Sequence, residues 1–189
     1  MSAVVQAPAR RSTRATVHRV STRIYGPRRG CAGHSWIAEE RIAIGGVPVG
    51  DGVWRLAEEG FTHVVNCRAD LQTCISQDLW AERAVLGAHR VVHAPMWDSG
   101  KPQPAALWAP AVEFAAAALE VQPDAGVLIH CQQGRRRSAM VAYGVLRLRG
   151  HDPVEASRLI LHHRPQAELV PVYTAGVERW LAARTAPLP

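Results

Sequence analysis

Between residues 41 and 184, short apolar runs alternate with longer stretches in which apolar side chains recur every three or four positions. Arg41 followed by Ile-Ala-Ile-Gly-Gly predicts a strand that ends in a turn. Asp51 then caps a helix through Glu59, closed by Gly60, a residue suited to a helix C-terminus. Residues 63–67, His-Val-Val-Asn-Cys, are a β-branched run of strand length. Ser76 serves as N-cap for a helix over 76–88, with Leu79, Trp80, Arg83 and Ala84 at helical spacing. A third strand over 90–96 leads into a loop over 98–104. Helix then resumes, with Pro110 near its first turn, and runs to Val121. Residues 126–130 are almost wholly apolar, as expected for the middle of a sheet buried on both faces. Helices follow over 137–149, 153–163 and 171–184, the second opened by Asp152 as N-cap and Pro153 as first residue. Strands alternating with helices predict an α/β domain whose central, mostly parallel sheet is flanked by helices on both faces. No internal repeat is visible.

Composition narrows the class. The 189 residues are 48% hydrophobic and 20% charged, which is globular composition and excludes collagen-like, coiled-coil and wholly disordered chains. The longest apolar stretch, 108–121, carries Pro110, Glu113 and Glu120, so no transmembrane segment is expected. Cysteines at 31, 67, 74 and 131 have no CxxC spacing, and the nine histidines form no HxxxH-type ligand set, so no metal and no cofactor are expected. Free thiols in a reducing compartment follow, and a cytoplasmic location with them.

Charge is uneven along the chain. Net charge is +6, yet arginines 10, 11, 14, 19, 23, 28 and 29 all precede residue 35, and no acid appears before Glu39. From residue 36 onward there are 15 basic and 16 acidic residues. The basic character therefore belongs to a tail over 1–35, which reads as poorly ordered, and not to the domain over 36–185. Three readings of that tail stay open. It is a solvated extension, an arm for an acidic partner such as nucleic acid or acidic lipid, or an organelle transit peptide, which has this Arg-rich composition.

One loop carries the chemistry. In an open α/β sheet, ligands bind beyond the carboxyl ends of the strands. The central strand ends in His130-Cys131-Gln132-Gln133-Gly134-Arg135-Arg136-Arg137-Ser138, which enters a helix. The N–H groups of a tight loop opening a helix make an oxyanion site, reinforced by the helix dipole. Gly134 permits the turn. Cys131 sits where those donors and the arginines favour thiolate, a nucleophile at neutral pH. The planar fork of Arg137 suits two oxygens of a phosphoryl group.

Residues 130–138 resemble the HC-x5-R-[ST] signature of the cysteine-dependent protein phosphatases, and the surrounding chain resembles their dual-specificity branch. Ile42 to Gly46, Gly60 to Asn66, the Asp98 loop and Val141 to Pro165 carry that wider likeness, which spans about residues 36–183. The resemblance implies a protein tyrosine phosphatase-like fold and attack on phosphorus by Cys131, giving a thiophosphoryl-enzyme. It implies that Arg137 and the loop amides of Gln132, Gln133, Gly134, Arg135 and Arg136 hold the phosphoryl oxygens. Ser138 would stabilise the departing thiolate, and His130 would keep the thiol acidic through the loop's hydrogen bonds. The general acid is expected on a mobile loop about thirty residues upstream. Asp98, 33 residues before Cys131, fits, and Asp70 is the runner-up.

Gln133 and Arg136 depart from the residues common at their positions, and three consecutive arginines make the rim basic. Arg135 and Arg136 are expected either to radiate toward the rim, where a second phosphate would sit, or to pair with a nearby acid and only brace the loop. Arg135 also stands where phosphoinositide-like and phosphatidylglycerophosphate phosphatases are basic, and that resemblance implies an alternative substrate class, a polyanionic phosphoinositide, phosphatidylglycerophosphate or RNA 5′-phosphate, beside a phosphorylated protein. Two other functions are weighed: rhodanese-type sulfur transfer, in which Ser138 and Asp98 have no evident use, and a noncatalytic phosphate-binding module, which needs no nucleophile. Cys67, or else Cys74, is the candidate resolving thiol if Cys131 is oxidised.

Overall fold

The computed structural model describes residues 33–185. Five strands form one sheet: β1 (His34–Ile37), β2 (Ile42–Gly46), β3 (His63–Asn66), β4 (Val91–His93) and β5 (Val127–Cys131). Their spatial order is β1-β2-β5-β3-β4. Only β1 runs antiparallel, paired to β2; β2–β5, β5–β3 and β3–β4 are parallel. Six helices flank the sheet: α1 (Asp70–Ser76), α2 (Asp78–Leu86), α3 (Ala105–Val121), α4 (Arg137–Leu148), α5 (Pro153–His163) and α6 (Pro171–Thr185). The expected α/β architecture is therefore observed, with the apolar run at its centre. The readings made of residues 1–32 lie outside the described residues.

Period-two alternation divides the core. Ile42, Ile44, Val65, Val127 and Ile129 face one way, onto buried residues of α3 and α4 such as Trp108, Val112, Met140 and Val145. Ala43, Val64, Val91 and Leu128 face the other, onto Val53, Leu56 and Phe61, with Leu79 and Val85 of α2 packed alongside. Each fully buried Val, Leu or Ile contributes about 1.5–3 kcal/mol, so these two layers hold the sheet level across which the site is built.

The structure corrects several local expectations. Residues 53–60 form successive turns instead of a helix capped by Asp51: the segment opens with a 3-10 turn at Gly50–Gly52, whose preceding residue is Val49. Its bonds are mostly three residues apart, as from Arg55 N to Gly52 O and Leu56 N to Val53 O. Two early glycines weaken α-helix there, and packing Val53, Leu56 and Phe61 onto the sheet sets the path instead. Ser76 is not an N-cap. It is the last residue of α1, and Gln77, at φ 54°, turns the chain into α2. The inward face of α2 carries Asp78 and Glu82, while Trp80, Arg83 and Ala84 are exposed. Strand β4 spans three residues, and Pro110 lies one turn deeper in α3 than expected. Helix α5 follows its sequence signal: the Asp152 carboxylate accepts from the Val154 and Glu155 N–H groups.

Candidate active site

Alternation along β5 sends His130 toward α2 and Cys131 toward α4. Beyond Cys131 the chain turns through Gly134, at φ 69°, before α4 begins at Arg137. A Cβ at Gly134 would stand 2.4 Å from the carbonyl carbon of Gly45 and 2.5 Å from Arg164 Nη2, so only glycine fits. Arg164, which follows α5, is buried and clamps the loop. Its Nε donates to Gly134 O at 2.5 Å, Nη2 to Gln133 O at 3.1 Å and Nη1 to Gly33 O at 2.8 Å. Val47 N donates to Gln132 O at 3.4 Å, and Glu168 N to Arg135 O at 2.9 Å. The loop's carbonyls are thus engaged by its surroundings, which leaves its N–H groups turned inward.

Those donors meet Cys131. Its Sγ lies 3.4 Å from Ser138 Oγ at the mouth of α4. Burial pushes the thiol pKa up, but the Ser138 hydroxyl, the Ser138 N–H, the Arg137 guanidinium and the Arg135 N–H outweigh it and bring it to about 7. The thiolate fraction therefore rises with pH through neutrality. Ser138→Ala removes the leading stabiliser, so the inflection of iodoacetamide alkylation should move upward from about 7; an unmoved inflection would detach Ser138 from the thiolate.

Arg137 is buried beneath the loop. Nη1 donates to Met96 O and to Gln72 Oε1, both at 2.9 Å, and to Cys67 O at 3.3 Å. Its Nε is buried with no protein partner among the described residues. One edge of the guanidinium is fixed by protein, and the other keeps its donors for a ligand.

His130 turns to a separate network. Nε2 lies 2.7 Å from Glu82 Oε1, with both side chains fully buried. Burial lowers the imidazole pKa, but Glu82, Asp78 and Cys131 outweigh it and raise it overall. Asn66 Nδ2 donates to Asp78 at 2.8 Å and to Glu82 at 3.1 Å, and Arg68 Nη1 lies 2.7 Å from Asp78. Asp78, Glu82 and His130 have the spacing of a cation site. Their oxygens are already matched by Arg68, Asn66 and the imidazole, which makes the cluster a closed ion-pair network.

Asp98 sits on the loop after β4, with its carboxylate 3.9 Å from Arg136 Nη1. That loop is tied to α6 by Gly100 N donating to Tyr173 OH at 3.0 Å. Asp98, Gln133, Arg135, Arg136 and Glu168 line a hollow of about 210 Å³. Asp70, the runner-up acid, is exposed at the start of α1 and 3.6 Å from His93 Nδ1. A larger hollow of about 720 Å³, bordered by Glu113, Glu120, Arg149 and Arg184, holds no nucleophile.

The rim arginines do not radiate freely. Arg135 pairs with Glu168 Oε1, and Arg136 Nε donates to Glu168 Oε2 at 2.5 Å. Glu168 lies between α5 and α6, about thirty residues on, so sequence spacing does not reveal the pairing. With Asp98 beside Arg136, the two cations at the rim face two carboxylates. Of the two expectations for Arg135 and Arg136, pairing with a nearby acid is the one observed, and a free second phosphate site is not.

Cys67 follows β3 as Cys131 ends β5, and Asn66 pairs with His130 in the parallel register. Cys67 is buried and its thiol is pushed well up, by burial first and then by Cys131, so it stands as a protonated thiol beside the nucleophile. Cys74 is exposed on α1. Mild peroxide should convert Cys131 to a sulfenate that condenses with Cys67, losing water and forming a disulfide. Mass spectrometry finding sulfinic Cys131 with no Cys67 cross-link would end that expectation.

Gln72, Glu82, Arg164 and Glu168 surround the loop and are not found from the sequence, because each acts through a partner distant along the chain; for Glu82 alone the i, i+4 spacing from Asp78 on one helix face is an available signal.

The mostly parallel five-stranded sheet with helices on both faces is the fold seen in solved structures of dual-specificity and tyrosine phosphatases. The structure is similar to that of human DUSP28, with a TM-score of 0.64 at 22% identity, over 81% of this chain and 95% of that one. It is similar to PTPMT1 in complex with PI(5)P, with a TM-score of 0.65 at 20% identity, over 81% of this chain and 99% of that one. Tk-PTP in its active form matches with a TM-score of 0.63 at 25% identity, over 80% of this chain and 97% of that one. No family model matches the sequence, and no curated protein matches it.

Proposed function

We propose that this chain is a cysteine-dependent hydrolase of phosphoric monoesters, of the dual-specificity type. The observation that carries the reading is the pairing of a thiol held at about 7 with a buried arginine tied along one edge only. In the first step the Cys131 thiolate attacks phosphorus, forming an S–P bond as the ester P–O bond breaks. Arg137 and the inward N–H groups hold the non-bridging oxygens, and Asp98 supplies the proton to the departing oxygen. Water then attacks the thiophosphoryl group, giving its proton to the Asp98 carboxylate, and the thiolate leaves toward the Ser138 hydroxyl. Within this reading Glu82 orients His130, and Gln72 with Met96 O orients Arg137.

The hollow of about 210 Å³ lined by Asp98, Gln133, Arg135, Arg136 and Glu168 is of a size that suits a single phosphoryl group on Ser, Thr or Tyr. Pairing of Arg135 and Arg136 with Glu168 leaves neither arginine free for a second phosphate, which weighs against the polyanionic alternative. Hydrolysis of p-nitrophenyl phosphate that resists EDTA and is blocked by vanadate is the expected result. Its absence, with the protein folded, would return the chain to a noncatalytic phosphate-binding role.

Asp98→Asn should slow alkyl phosphates by about 10²–10⁴-fold and p-nitrophenyl phosphate much less, because a poor leaving group needs protonation. Equal slowing of both would make Asp98 a loop anchor and move the test to Asp70.

A further inference from the structure

The segment that carries Asp98 has little packing of its own to hold it. Strand β4 ends at His93 and α3 opens at Ala105, and between them Trp97, Asp98, Ser99, Gly100 and Lys101 are all exposed. A group that gives a proton to a leaving oxygen must stand within about 3 Å of it, so something has to fix this exposed stretch in space. The stretch is braced within itself. Gln103 Nε2 donates to Trp97 O at 3.1 Å, to Lys101 O at 3.2 Å and to Ser99 Oγ at 3.4 Å. Trp108, buried in α3, holds the far end, its Nε1 donating to Gln103 O at 3.2 Å. These bonds set the shape of the stretch and not where Asp98 lies over the pocket.

Position is set by ties to other elements, and they fall at alternate residues. Met96 O accepts from Arg137 Nη1 at 2.9 Å, which joins the base of the stretch to the buried arginine of the site. The Asp98 carboxylate lies 3.9 Å from Arg136 Nη1. Gly100 N donates to Tyr173 OH at 3.0 Å. Asp98 therefore sits midway between two hydrogen-bonded anchors, each two residues away. Its own tie to Arg136 is the weak one, because that side chain is half-exposed and shared with Glu168. The anchor at Gly100 is firm. Tyr173 stands in the first turn of α6, 1% exposed, with its ring in the main core cluster. A ring packed on all sides holds its hydroxyl at one point. Gly100 takes φ 67°, which glycine adopts with little strain, so its N–H meets that hydroxyl at small backbone cost.

We infer that Tyr173 is a positioning residue for the general acid: its hydroxyl, acting through Gly100, holds Asp98 over the phosphate site. Its role is indirect, since it governs how often Asp98 stands within reach of the leaving oxygen. Without the hydroxyl the arc free to move lengthens, from the residues between Met96 and Gly100 to those between Met96 and Gln103, and more conformations compete with the working one. The inference rests on the reading of Asp98 as proton donor. It adds the part of the fold, the start of α6, that lets an exposed residue serve in that role. The consequence is selective. Departure of a leaving group that needs the proton slows, while phosphate binding does not, because Arg137 keeps its partners at Met96, Gln72 and Cys67.

Tyr173→Phe in the full chain tests it, because the packed ring stays and only the hydroxyl goes. The expected result is a fall in kcat/KM for a phosphoserine peptide of about three- to tenfold, the worth of one hydrogen bond. Turnover of p-nitrophenyl phosphate should stay within about twofold of wild type, and vanadate should block both proteins equally. Added to Asp98→Asn, the change should cost nothing further, because the group being positioned is already gone. Apart from turnover, the Gly100 amide should exchange with solvent about three- to tenfold faster in the variant, read by NMR. Equal slowing of both substrates, a weaker vanadate block, a further loss on top of Asp98→Asn or unchanged Gly100 exchange would each overturn the inference. If circular dichroism shows Tyr173→Phe unfolded, Gly100→Pro removes the same bond from the loop side, and absence of the selective loss there overturns it likewise. Asp98→Asn alone separates the two readings. A selective loss in Asp98→Asn with none in Tyr173→Phe sinks the inference only, while no selective loss in Asp98→Asn sinks the acid assignment and the inference together. A folded wild type without turnover would sink the phosphatase reading instead, and Gly100 exchange would still show whether Tyr173 holds the loop.

Discussion

Cys131→Ser should abolish turnover, lowering it by at least about 10⁴-fold, while substrate binding survives. The loop stabilises an anion at Cys131: Ser138 Oγ stands 3.4 Å from the sulfur, and the Ser138 and Arg135 N–H groups with the Arg137 guanidinium overcome burial to hold the thiol near 7. A serine hydroxyl has an intrinsic pKa far higher, and the same donors leave it protonated at neutral pH, so the nucleophile is gone while the oxyanion donors remain. Removing a negative charge from the base of the pocket also removes repulsion toward a phosphoryl dianion. Calorimetry with a phosphotyrosine peptide should therefore show affinity equal to or tighter than that of wild type under non-turnover conditions. The pH profile of the wild type follows from the same group. Its kcat/KM should climb as pH rises through about 7, because the reactive form is the deprotonated one. Measurable wild-type-like turnover by the serine variant would remove Cys131 from the mechanism.

Arg137→Lys should lower kcat/KM by about 10²–10³-fold despite the retained charge. Arg137 needs three features at once. Its Nη1 reaches Met96 O, Gln72 Oε1 and Cys67 O, which hold the side chain beneath the loop, and its Nε remains for a phosphoryl oxygen. A lysine ammonium is a point donor and cannot span the protein acceptors and two phosphoryl oxygens together. Leaving buried carbonyls without donors costs about 1–3 kcal/mol each, so the variant should also unfold at lower denaturant concentration. Steady-state kinetics and urea titration read the two effects separately. Kinetics close to wild type would mean that the loop amides alone hold the phosphoryl group.

Much of this arrangement is legible in the amino-acid sequence alone. The apolar run of β5 places itself at the centre of the sheet, because only a strand covered on both faces lacks polar positions. Loop residues Cys131, Gly134, Arg137 and Ser138 stand out because a candidate nucleophile, a turn glycine and a candidate anion ligand within eight residues have few other uses. The helix opened by Asp152 and Pro153 is legible for a local reason, a cap that bonds its own first turn.

Elsewhere a long-range partner decides the local structure, and the local pattern misleads. Helical spacing over 76–88 does not say which face turns inward; in α2 Asp78 and Glu82 are buried beside His130 and Arg68, with Leu79 and Val85 packed on the core, while Trp80, Arg83 and Ala84 are exposed. Along the chain Arg135 and Arg136 read equally as free cations or as partners of an unnamed acid, and the fold supplies that acid as Glu168.

The sequence by itself determined the α/β class, strands β2, β3 and β5 and the helices α3 to α6, but neither β1 nor α1, and it marked one loop as the candidate site. Each of these rests on contacts within a few residues or on periodicity along an element. Only the tertiary structure decided that Arg164 braces the loop from α5, that Gln72 and Met96 aim Arg137, that Glu82 answers His130 and that Glu168 neutralises the rim. In these pairs the desolvation of a buried or half-buried charge is offset by a partner 30 to 65 residues away. Which charge meets which is settled by how the sheet and helices close on one another.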